Sequence, residues 1–268
     1  MDDIVSHYTS ATESTRLTTG IGLLERERML EILERFLPEP PALILDVGGG
    51  PGVHAFALAE RGYHVHLFDL TPAHVEQARQ STPEAVRPQF EAHLGDARKL
   101  DRDAGTADGF LLLGPLYHLI ERADRIDALR EAHRILKPGG TLVAAAITRF
   151  ASLLDGLAQD FIADPHFLEI LTNDVLSGQH RNPTEHPSYF TTSYFHRPEE
   201  LEHEFADAGF TGAQLIAVQG PGWLRRDFDR HWQSPAERQK LLSLVRAVEC
   251  ERSLLAVSPH VVAVARKG

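Results

Sequence analysis

Residues 42–52 read ALILDVGGGPG, an apolar run that ends in an acidic residue and a glycine-rich loop. Residues 42–47 have the length and composition of a buried parallel strand, interrupted only by Asp46. Residues 53–61 carry the apolar spacing of a helix. A strand, a glycine loop and a helix N-terminus in this order predict a cradle for a nucleotide-type ligand. Four glycines remove side chains where the backbone must turn sharply against that ligand: Gly48, Gly49, Gly50 and Gly52.

The loop by itself admits two kinds of cofactor. Gly50, Gly52 and Ala55 satisfy the dinucleotide fingerprint G-x-G-x-x-G/A, so an NAD(P)-dependent oxidoreductase stays open. Asp46 favours a different ligand, because a carboxylate just before the glycines is unfavourably close to a pyrophosphate but suits an ammonium group. Segments further along the chain bear on the choice between the two.

From Asp46 to Gly52 the sequence resembles the first motif of class I S-adenosylmethionine (SAM) methyltransferases, acid-x-Gly-x-Gly-x-Gly. Two later segments extend the resemblance: Gly95-Asp96-Ala97 after a predicted strand at 89–94, and LKPGG at 136–140, which is expected to stop a helix before a strand at 141–147. The resemblance implies SAM as cofactor and S-adenosyl-L-homocysteine as product. It also implies an α/β, Rossmann-like doubly wound fold with a mostly parallel seven-stranded sheet, an antiparallel last strand at 260–265, and a cap insertion.

The resemblance assigns cofactor-binding residues as well. Asp46 and the glycine loop would hold the methionine end of SAM, and Asp69, about 20 residues beyond the loop, would accept hydrogen bonds from the ribose. Asp96 and Ala97 would bind the adenine. The polar N-terminal arm would fold over the cofactor, with a frayed terminus as an equal alternative. The full expected set is Tyr8, Arg16, Asp46, Gly48, Gly50, Gly52, Asp69, Leu70, Asp96, Ala97, Leu113 and Gly114.

The predicted fourth strand, 108–113, runs into the segment GPLYHL at 114–119. In the family, the end of this strand presents the acceptor atom, and members that methylate nucleic-acid amines carry Asn/Asp-Pro-Pro-aromatic there. Gly114 and Leu116 depart from that motif, and the run looks like bacterial methyltransferases that act on small molecules of secondary metabolism. Alignment of donor and acceptor can supply about 7–11 kcal/mol, so a general base is optional. The candidates for such a base, in order of preference, are His118, Tyr117 and His196.

Residues 149–197 break the alternation of strands and helices and are rich in histidine and aromatic residues. An insertion after the fifth strand is expected to form a substrate cap over the carboxyl edge of the sheet. Its composition favours a small planar or heteroaromatic acceptor, methylated on nitrogen or oxygen. The expected substrate-binding residues are Tyr117, His118, Arg149, His180, Tyr189, Tyr194, Phe195 and His196. The predicted division of the chain is an arm and helix at 1–38, a SAM-binding core at 39–148, the cap at 149–197 and the completion of the core sheet at 198–268.

No metal site is predicted. His64 and His66 alternate on one face of the predicted strand 63–69, but no third ligand is nearby, so packing and hydrogen bonding are favoured. The four histidines of the insertion do not follow a regular ligand spacing.

Composition restricts the class of function. The 268-residue chain has a formal net charge of −11, and its basic runs do not exceed the pair Arg225–Arg226, which argues against nucleic acid and anionic membranes as partners. A single cysteine, Cys250, suits a reducing cytosol, and residues 1–10 lack a secretion-signal pattern. These observations predict a soluble cytoplasmic protein. A SAM-binding sensor or subunit without catalysis is the alternative from another class, and the oligomeric state stays open.

Overall fold

The computed structural model describes residues 17–184 and 186–268. Tyr8 and Arg16, the two cofactor residues expected in the N-terminal arm, lie outside the described residues. By its internal contacts the chain divides into two compact units. The glycine-loop unit comprises Ile32–Ala145, Leu201–Gln214 and Ala263–Gly268. The insertion unit comprises the described residues up to 31 together with Ala146–Glu200 and Leu215–Val262.

Strands and helices alternate through the first half of the described chain. The strands are β1 (Leu43–Val47), β2 (His64–Asp69), β3 (Phe90–Leu94), β4 (Ala107–Leu112), β5 (Leu136–Thr148), β6 (Gln179–His180), β7 (Ser193–His196), β8 (Gln214–Ala217) and β9 (His260–Arg266). The α-helices are α1 (Gly22–Phe36), α2 (Val53–Ala59), α3 (Pro72–Ser81), α4 (Pro115–His118), α5 (Arg122–Ile135), α6 (Ala151–Ala158), α7 (Pro165–Ser177), α8 (Pro198–Asp207), α9 (Phe228–Trp232) and α10 (Pro235–Val248). Among the described residues, none of these helices combines the length and the apolar character needed to cross a membrane.

The sheet of the glycine-loop unit has the parallel strand order β3-β2-β1-β4-β5. Strand β1 is interior: Ile44 is fully buried and pairs with Val65 of β2 on one side and with Gly109 of β4 on the other. The near-continuous apolar run predicted such a strand, because both of its faces are covered. Since parallel strands end at the same edge, Asp46, Asp69 and the segments that follow β3 and β4 share one edge of this sheet.

Strand β9 is antiparallel to β5, as predicted. In the glycine-loop unit, the Gly139 N–H donates to the Lys267 carbonyl and the Lys267 N–H donates to the Gly140 carbonyl. In the insertion unit, the Thr148 N–H donates to the Pro259 carbonyl, so partner numbers fall along β9 as they rise along β5. The mostly parallel α/β fold with an antiparallel last strand is confirmed.

The expected boundary of the fifth strand is wrong. LKPGG was predicted to lie before a strand at 141–147, but β5 already begins at Leu136 and includes the whole motif. Two interactions account for the difference: the two glycines of the motif hydrogen-bond with Lys267, and Lys137 Nζ lies 2.7 Å from Asp108 Oδ1 on β4. Pairing to β9 and β4 therefore extends the strand through residues that favour a turn.

The insertion is more regular than its sequence indicates. Residues 149–197, where the alternation of strands and helices was predicted to break, form helices α6 and α7 and strands β6 and β7, which brings the described strands to nine instead of seven. Strand β7 runs parallel to the end of β5, with Phe195 opposite Ile147 and His196 opposite Thr148, and β6 pairs antiparallel with β7. Helices α6 and α7 contribute to a local apolar cluster centred on Phe167, Ile170, Leu171 and Tyr189.

Candidate active site

Asp46 is a buried carboxylate near the end of β1, with 1% of its surface exposed. Both of its carboxylate oxygens are buried and have no hydrogen-bond partner among the described residues. Burial, followed by the negative charge of Asp69, raises the pKa of Asp46 to about 7. An ionised carboxylate in this environment is costly unless a cation or a hydrogen-bond donor compensates for it. Asp46 is therefore suited to a cationic ligand group.

Gly48 allows the glycine loop to pack directly against the start of α4. Its φ of +74° is in the left-handed region, and a Cβ atom at this position would lie 2.5 Å from Pro115 Cγ. A methyl group on Gly50 would instead have no heavy atom of the described residues within 4 Å. The loop thus contacts α4 at Gly48 and leaves room for a ligand beside Gly50.

Asp69 at the end of β2 holds the glycine loop. Its Oδ2 accepts a hydrogen bond from the Gly50 N–H at 2.9 Å, and its Oδ1 accepts one from the Thr71 N–H at 2.8 Å. His74 Nδ1 lies 3.2 Å from the same Oδ1. Asp69 is 7% exposed, whereas the neighbouring Leu70 is 44% exposed at the same strand end. Both expected contacts with the cofactor, from Asp69 and from Leu70, stay predictions.

Asp96 follows β3 and is held by Arg98. The guanidinium of Arg98 donates to both carboxylate oxygens of Asp96, with a shortest distance of 2.6 Å, and to Asp124 Oδ1 at 3.0 Å. The hydrogen bond from Arg98 is the main cause of a lowered pKa for Asp96. Ala97 between them is buried. Sequence reasoning missed Arg98 and Asp124, and the adenine contacts of Asp96 and Ala97 stay predictions.

Tyr117 and His118 lie together on α4, directly after β4 and the segment Leu113–Gly114. Tyr117 is buried, His118 is half-buried, and their rings meet edge to face with centroids 4.7 Å apart. A Cβ atom on Gly114 would lie 3.6 Å from the Tyr117 hydroxyl and 3.3 Å from the Gly48 carbonyl. The structure thus brings together four of the predicted site residues, Gly48, Gly114, Tyr117 and His118, at one edge of the sheet.

A buried ion pair fixes the segment that follows His118. Arg125 on α5 donates to the carbonyls of Leu119 and Ile120, at 2.8 and 2.7 Å. The same guanidinium pairs with Glu204 on α8 at 2.7 Å, and both side chains are 2% exposed. Sequence reasoning missed this pair because the partners are 79 residues apart. The only signal for this pair in the sequence is that an arginine and a glutamate occupy helix positions that become buried.

Within the insertion unit, Arg149 is the centre of a polar network. Its Nε donates to the Phe195 carbonyl at 2.7 Å, and its guanidinium pairs with Glu200 at 2.8 Å. The Tyr194 hydroxyl also donates a hydrogen bond to Glu200 Oε2, at 3.2 Å. Arg149 is 3% exposed. These contacts join the end of β5 to β7 and α8, and a role of Arg149, Tyr194 and Phe195 in acceptor binding stays a prediction.

His180 has partners on both ring nitrogens inside the insertion unit. Its Nδ1 lies 2.8 Å from Asp174 Oδ2 and its Nε2 lies 2.7 Å from the Tyr189 carbonyl. A carboxylate and a carbonyl are both acceptors, so the His180 ring has an acceptor group at each of its nitrogens. His196 is fully buried, and its ring meets Tyr194 edge to face at 4.7 Å. The substrate-binding roles predicted for His180, Tyr189 and His196 stay untested.

The expectation that His66 has no third ligand nearby is wrong. Glu91 and His93 on β3 lie beside it, and ligand-type atoms of the three residues are all within 4.8 Å of one another. The sequence separates His66 from Glu91 and His93 by more than twenty positions, and only the pairing of β2 with β3 brings it next to them. This group lies on a face of the sheet, distinct from the residues at its carboxyl edge.

The residues at the carboxyl edge fit SAM better than a dinucleotide. Asp46 offers two unpartnered oxygens for an ammonium group, and open space over Gly50 admits a ligand against the loop. A pyrophosphate next to Asp46 would be repelled by its charge.

Several known proteins with related sequences or folds are methyltransferases. Residues 44–140 match a family model described as a methyltransferase domain. A ubiquinone/menaquinone biosynthesis C-methyltransferase, UbiE, from Ruegeria sp. is 27% identical over 172 residues, which cover 61% of this chain and 66% of the relative. The chain thus spans just under two thirds of the length of that curated relative.

Solved structures agree on the fold. A chain from the complex of the Haloferax volcanii Trm112 methyltransferase activator with a methyltransferase superposes with a TM-score of 0.63 at 19% identity, over 99% of this chain and 97% of the other. Phosphoethanolamine N-methyltransferase 2 from Haemonchus contortus, solved with phosphomonomethylethanolamine and S-adenosylhomocysteine, has a TM-score of 0.56 at 18% identity, over 90% of this chain and 52% of the other.

Proposed function

We propose that this chain, which carries a methyltransferase domain of the class I SAM-dependent type at residues 44–140, transfers the methyl group of SAM to a nitrogen or oxygen atom of a small, planar or heteroaromatic molecule. The product of SAM would be S-adenosyl-L-homocysteine. The net charge of −11 supports a small-molecule acceptor over a nucleic acid, since a polyanion would be repelled. The proposal includes a cytoplasmic location for the enzyme.

The observation that carries the proposal is the buried, unpartnered carboxylate of Asp46 before the glycine loop. Asp46 would accept hydrogen bonds from the ammonium group of SAM, and the glycine loop would lie against its methionine end. Asp69 and Asp96 would bind the ribose and the adenine, with Leu70 and Ala97 in apolar contact. When bound, SAM supplies an electrophilic methyl group on a sulfonium.

The remaining chemistry would fall to the residues after β4. Tyr117 and His118 would orient the acceptor, and His118 would take its proton where the nucleophile is a hydroxyl. Proton removal by a positioned base contributes about 10²–10⁴-fold to the rate. Tyr117, buried and in contact with the His118 ring, would fix the direction of that ring. Arg125 and Glu204 would hold this segment in place through the carbonyls of residues 119 and 120.

We further propose that the insertion contributes to acceptor binding through Tyr194 and Phe195. Tyr194→Phe and Phe195→Leu should raise the KM for the acceptor and leave kcat and the Kd of SAM nearly unchanged, because they remove uniform binding. A matched control is Tyr63→Phe, which removes a hydroxyl that donates to the Pro38 carbonyl. Tyr63 is far from Tyr194 and Phe195 in the sequence, and no part in acceptor binding is predicted for it. If the insertion variants weaken SAM instead, the insertion binds the cofactor and not the acceptor.

A carbon acceptor is the second candidate. It is favoured by the Ruegeria relative, which is named as a C-methyltransferase and is 27% identical to this chain. SAM labelled with ¹³C in its methyl group distinguishes the outcomes, because O-, N- and C-methyl carbons have separate chemical shifts. A panel of phenols, hydroxyquinones and imidazoles covers all three acceptor types.

The first experiment measures cofactor binding by thermal unfolding. SAM and S-adenosyl-L-homocysteine should both raise the melting temperature, by the equivalent of about 2.7 kcal/mol at 100 times the Kd, whereas NAD and NADP should not. A shift with NAD or NADP alone contradicts the proposal. Turnover of SAM with any acceptor of the panel separates an enzyme from a sensor that binds SAM without catalysis.

A further inference from the structure

His66, Glu91 and His93 lie on one face of the sheet in the glycine-loop unit. In the parallel register of β2 and β3, His66 is opposite Glu91 and Phe68 is opposite His93. Alternate residues of a strand share a face, so the three side chains project on the same side. Ligand-type atoms of the three all lie within 4.8 Å of one another.

The distances between these atoms match the edges of a small coordination polyhedron. Glu91 Oε2 lies 3.0 Å from His93 Nε2 and 3.9 Å from His66 Nε2. Two ligands of a tetrahedral Zn²⁺, each about 2.0–2.1 Å from the metal, are about 3.3 Å apart. These two distances bracket that value, and the ligand atoms of His66 and His93 lie within 4.8 Å of each other, so side-chain rotations can bring the three atoms to the coordinating arrangement.

Hydrogen bonding around His93 is not satisfied by protein groups alone. Its Nε2 lies 3.0 Å from Glu91 Oε2 and 3.2 Å from a guanidinium nitrogen of Arg102. If Nε2 carries a proton, it can donate a hydrogen bond to Glu91, but it then faces the N–H donor of Arg102. If Nε2 is unprotonated, it accepts from Arg102 but its lone pair opposes Glu91. A cation between Nε2 and Oε2 resolves the second case, because both atoms then donate lone pairs to it.

The surroundings of His66 favour a cation. His66 lines a cavity of about 230 Å³, together with Asp101, Arg102 and Asp103. Two of these three charged residues, Asp101 and Asp103, are acidic.

We propose that His66, Glu91 and His93 form a binding site for a divalent transition metal of the Zn²⁺ type. Two imidazoles and one carboxylate are the ligand types that Zn²⁺ accepts, and three protein ligands leave a fourth position for water from the cavity. The site joins β3 to β2, so the metal stabilises this part of the sheet. Arg102 occupies His93 Nε2 in the metal-free state and must move aside. The proposal does not depend on the methyl-transfer activity.

The test is a titration of the full-length, chelator-treated protein with Zn²⁺ by calorimetry, and with Co²⁺ by visible absorption. One tight site per chain is expected. Glu91→Gln and His93→Gln change exposed or half-exposed side chains and should fold normally, which circular dichroism verifies. Each should weaken Zn²⁺ binding by at least about 100-fold, above the roughly 10–100-fold loss typical of outer-sphere partners. His66→Gln should do the same.

His64→Gln is the matched control, because His64 is exposed, lies two residues before His66 on the same strand and is outside the cluster. It should bind Zn²⁺ like the wild type. Arg102→Gln removes the competing guanidinium and should bind Zn²⁺ more tightly. Wild-type affinity in the Glu91 and His93 variants overturns the proposal, as does an equal loss in His64→Gln, which indicates adventitious binding to surface histidines.

Discussion

The backbone N–H of Gly50 donates to Asp69 Oδ2 at 2.9 Å, which ties the glycine loop to the acid at the end of the neighbouring strand. The other oxygen of Asp69 accepts from Thr71, at the start of α3. Asp69 therefore shapes the loop through its own hydrogen bonds before any ligand is bound. An acid at this position was predicted to bind ribose, but the structure adds a second role in the preorganisation of the loop.

Asp69→Ala should weaken SAM binding at least about tenfold and also lower stability. Each lost hydrogen bond from a backbone N–H to the charged carboxylate contributes about 1.5–3 kcal/mol. Calorimetry with SAM and urea denaturation measure the two effects. Asp127→Ala on α5 is the control, since it removes the same charge from an exposed helix position. An unchanged Kd for SAM would show that Asp69 has neither role.

Asp46→Asn should stabilise the SAM-free protein, and the gain should grow with pH. The folded-state pKa of Asp46 is raised from 3.8 to about 7, so the folded state favours the protonated carboxyl group. The contribution of this group to the free energy of unfolding is fully present below pH 3.8 and is lost as the pH rises through 7. At pH 8 the buried, ionised carboxylate costs up to about 4 kcal/mol, which the neutral amide avoids. Thermal unfolding of both proteins at pH 5 and pH 8 checks the sign. A difference that does not change with pH refutes the raised pKa.

The same variant should separate cofactor binding from stability. If ionised Asp46 binds the ammonium of SAM, the wild-type Kd should fall as the pH rises towards 7 and then level off. Asp46→Asn should bind SAM more weakly at pH 8 and lack this dependence. Tighter SAM binding by the Asn variant at pH 8 would contradict the role assigned to Asp46.

Gly48→Ala should cost more stability than Gly50→Ala. Both positions have a positive φ, so both variants incur backbone strain of about 1–2 kcal/mol. Only the Cβ at position 48 collides with Pro115, and relief of such a clash costs about 1–3 kcal/mol more. Because Pro115 begins α4, Gly48→Ala should also lower kcat. Equal stability of the two variants by urea denaturation would show that Pro115 moves aside freely.

The sequence predicted those elements that local pattern determines. Strand β1 followed from its apolar run and the cradle from its glycines, and the acid at the end of β2 followed from its spacing. The missed features depend on contacts between distant residues. Arg125 pairs with Glu204, which is 79 positions away in the sequence. The LKPGG segment forms a strand because its glycines hydrogen-bond with Lys267. The grouping of His66 with Glu91 and His93 requires the β2–β3 register, which local periodicity does not contain.

Glu204→Gln should destabilise the protein by about 3–5 kcal/mol, because it leaves the buried charge of Arg125 without compensation. It should also lower kcat more than it raises the Kd of SAM, since Arg125 holds the carbonyls directly after His118. Asp207→Asn, on the same helix as Glu204, is the control: it breaks an exposed ion pair with Arg122 of α5 and should cost about 0–1 kcal/mol. Wild-type kcat in a folded Glu204→Gln protein would exclude a positioning role for the pair.

His118→Gln tests whether a base acts in the reaction. With a hydroxyl acceptor, kcat should fall by about 10²–10⁴-fold, and the loss should shrink at high pH, where the acceptor ionises without assistance. The Kd of SAM should not change, because no cofactor contact is assigned to His118. Tyr117→Phe is the companion variant: it keeps the ring that packs against His118 and removes only the hydroxyl, so it should retain most of the activity. If His118→Gln keeps full kcat over the whole pH range, alignment of donor and acceptor must supply the rate without a base.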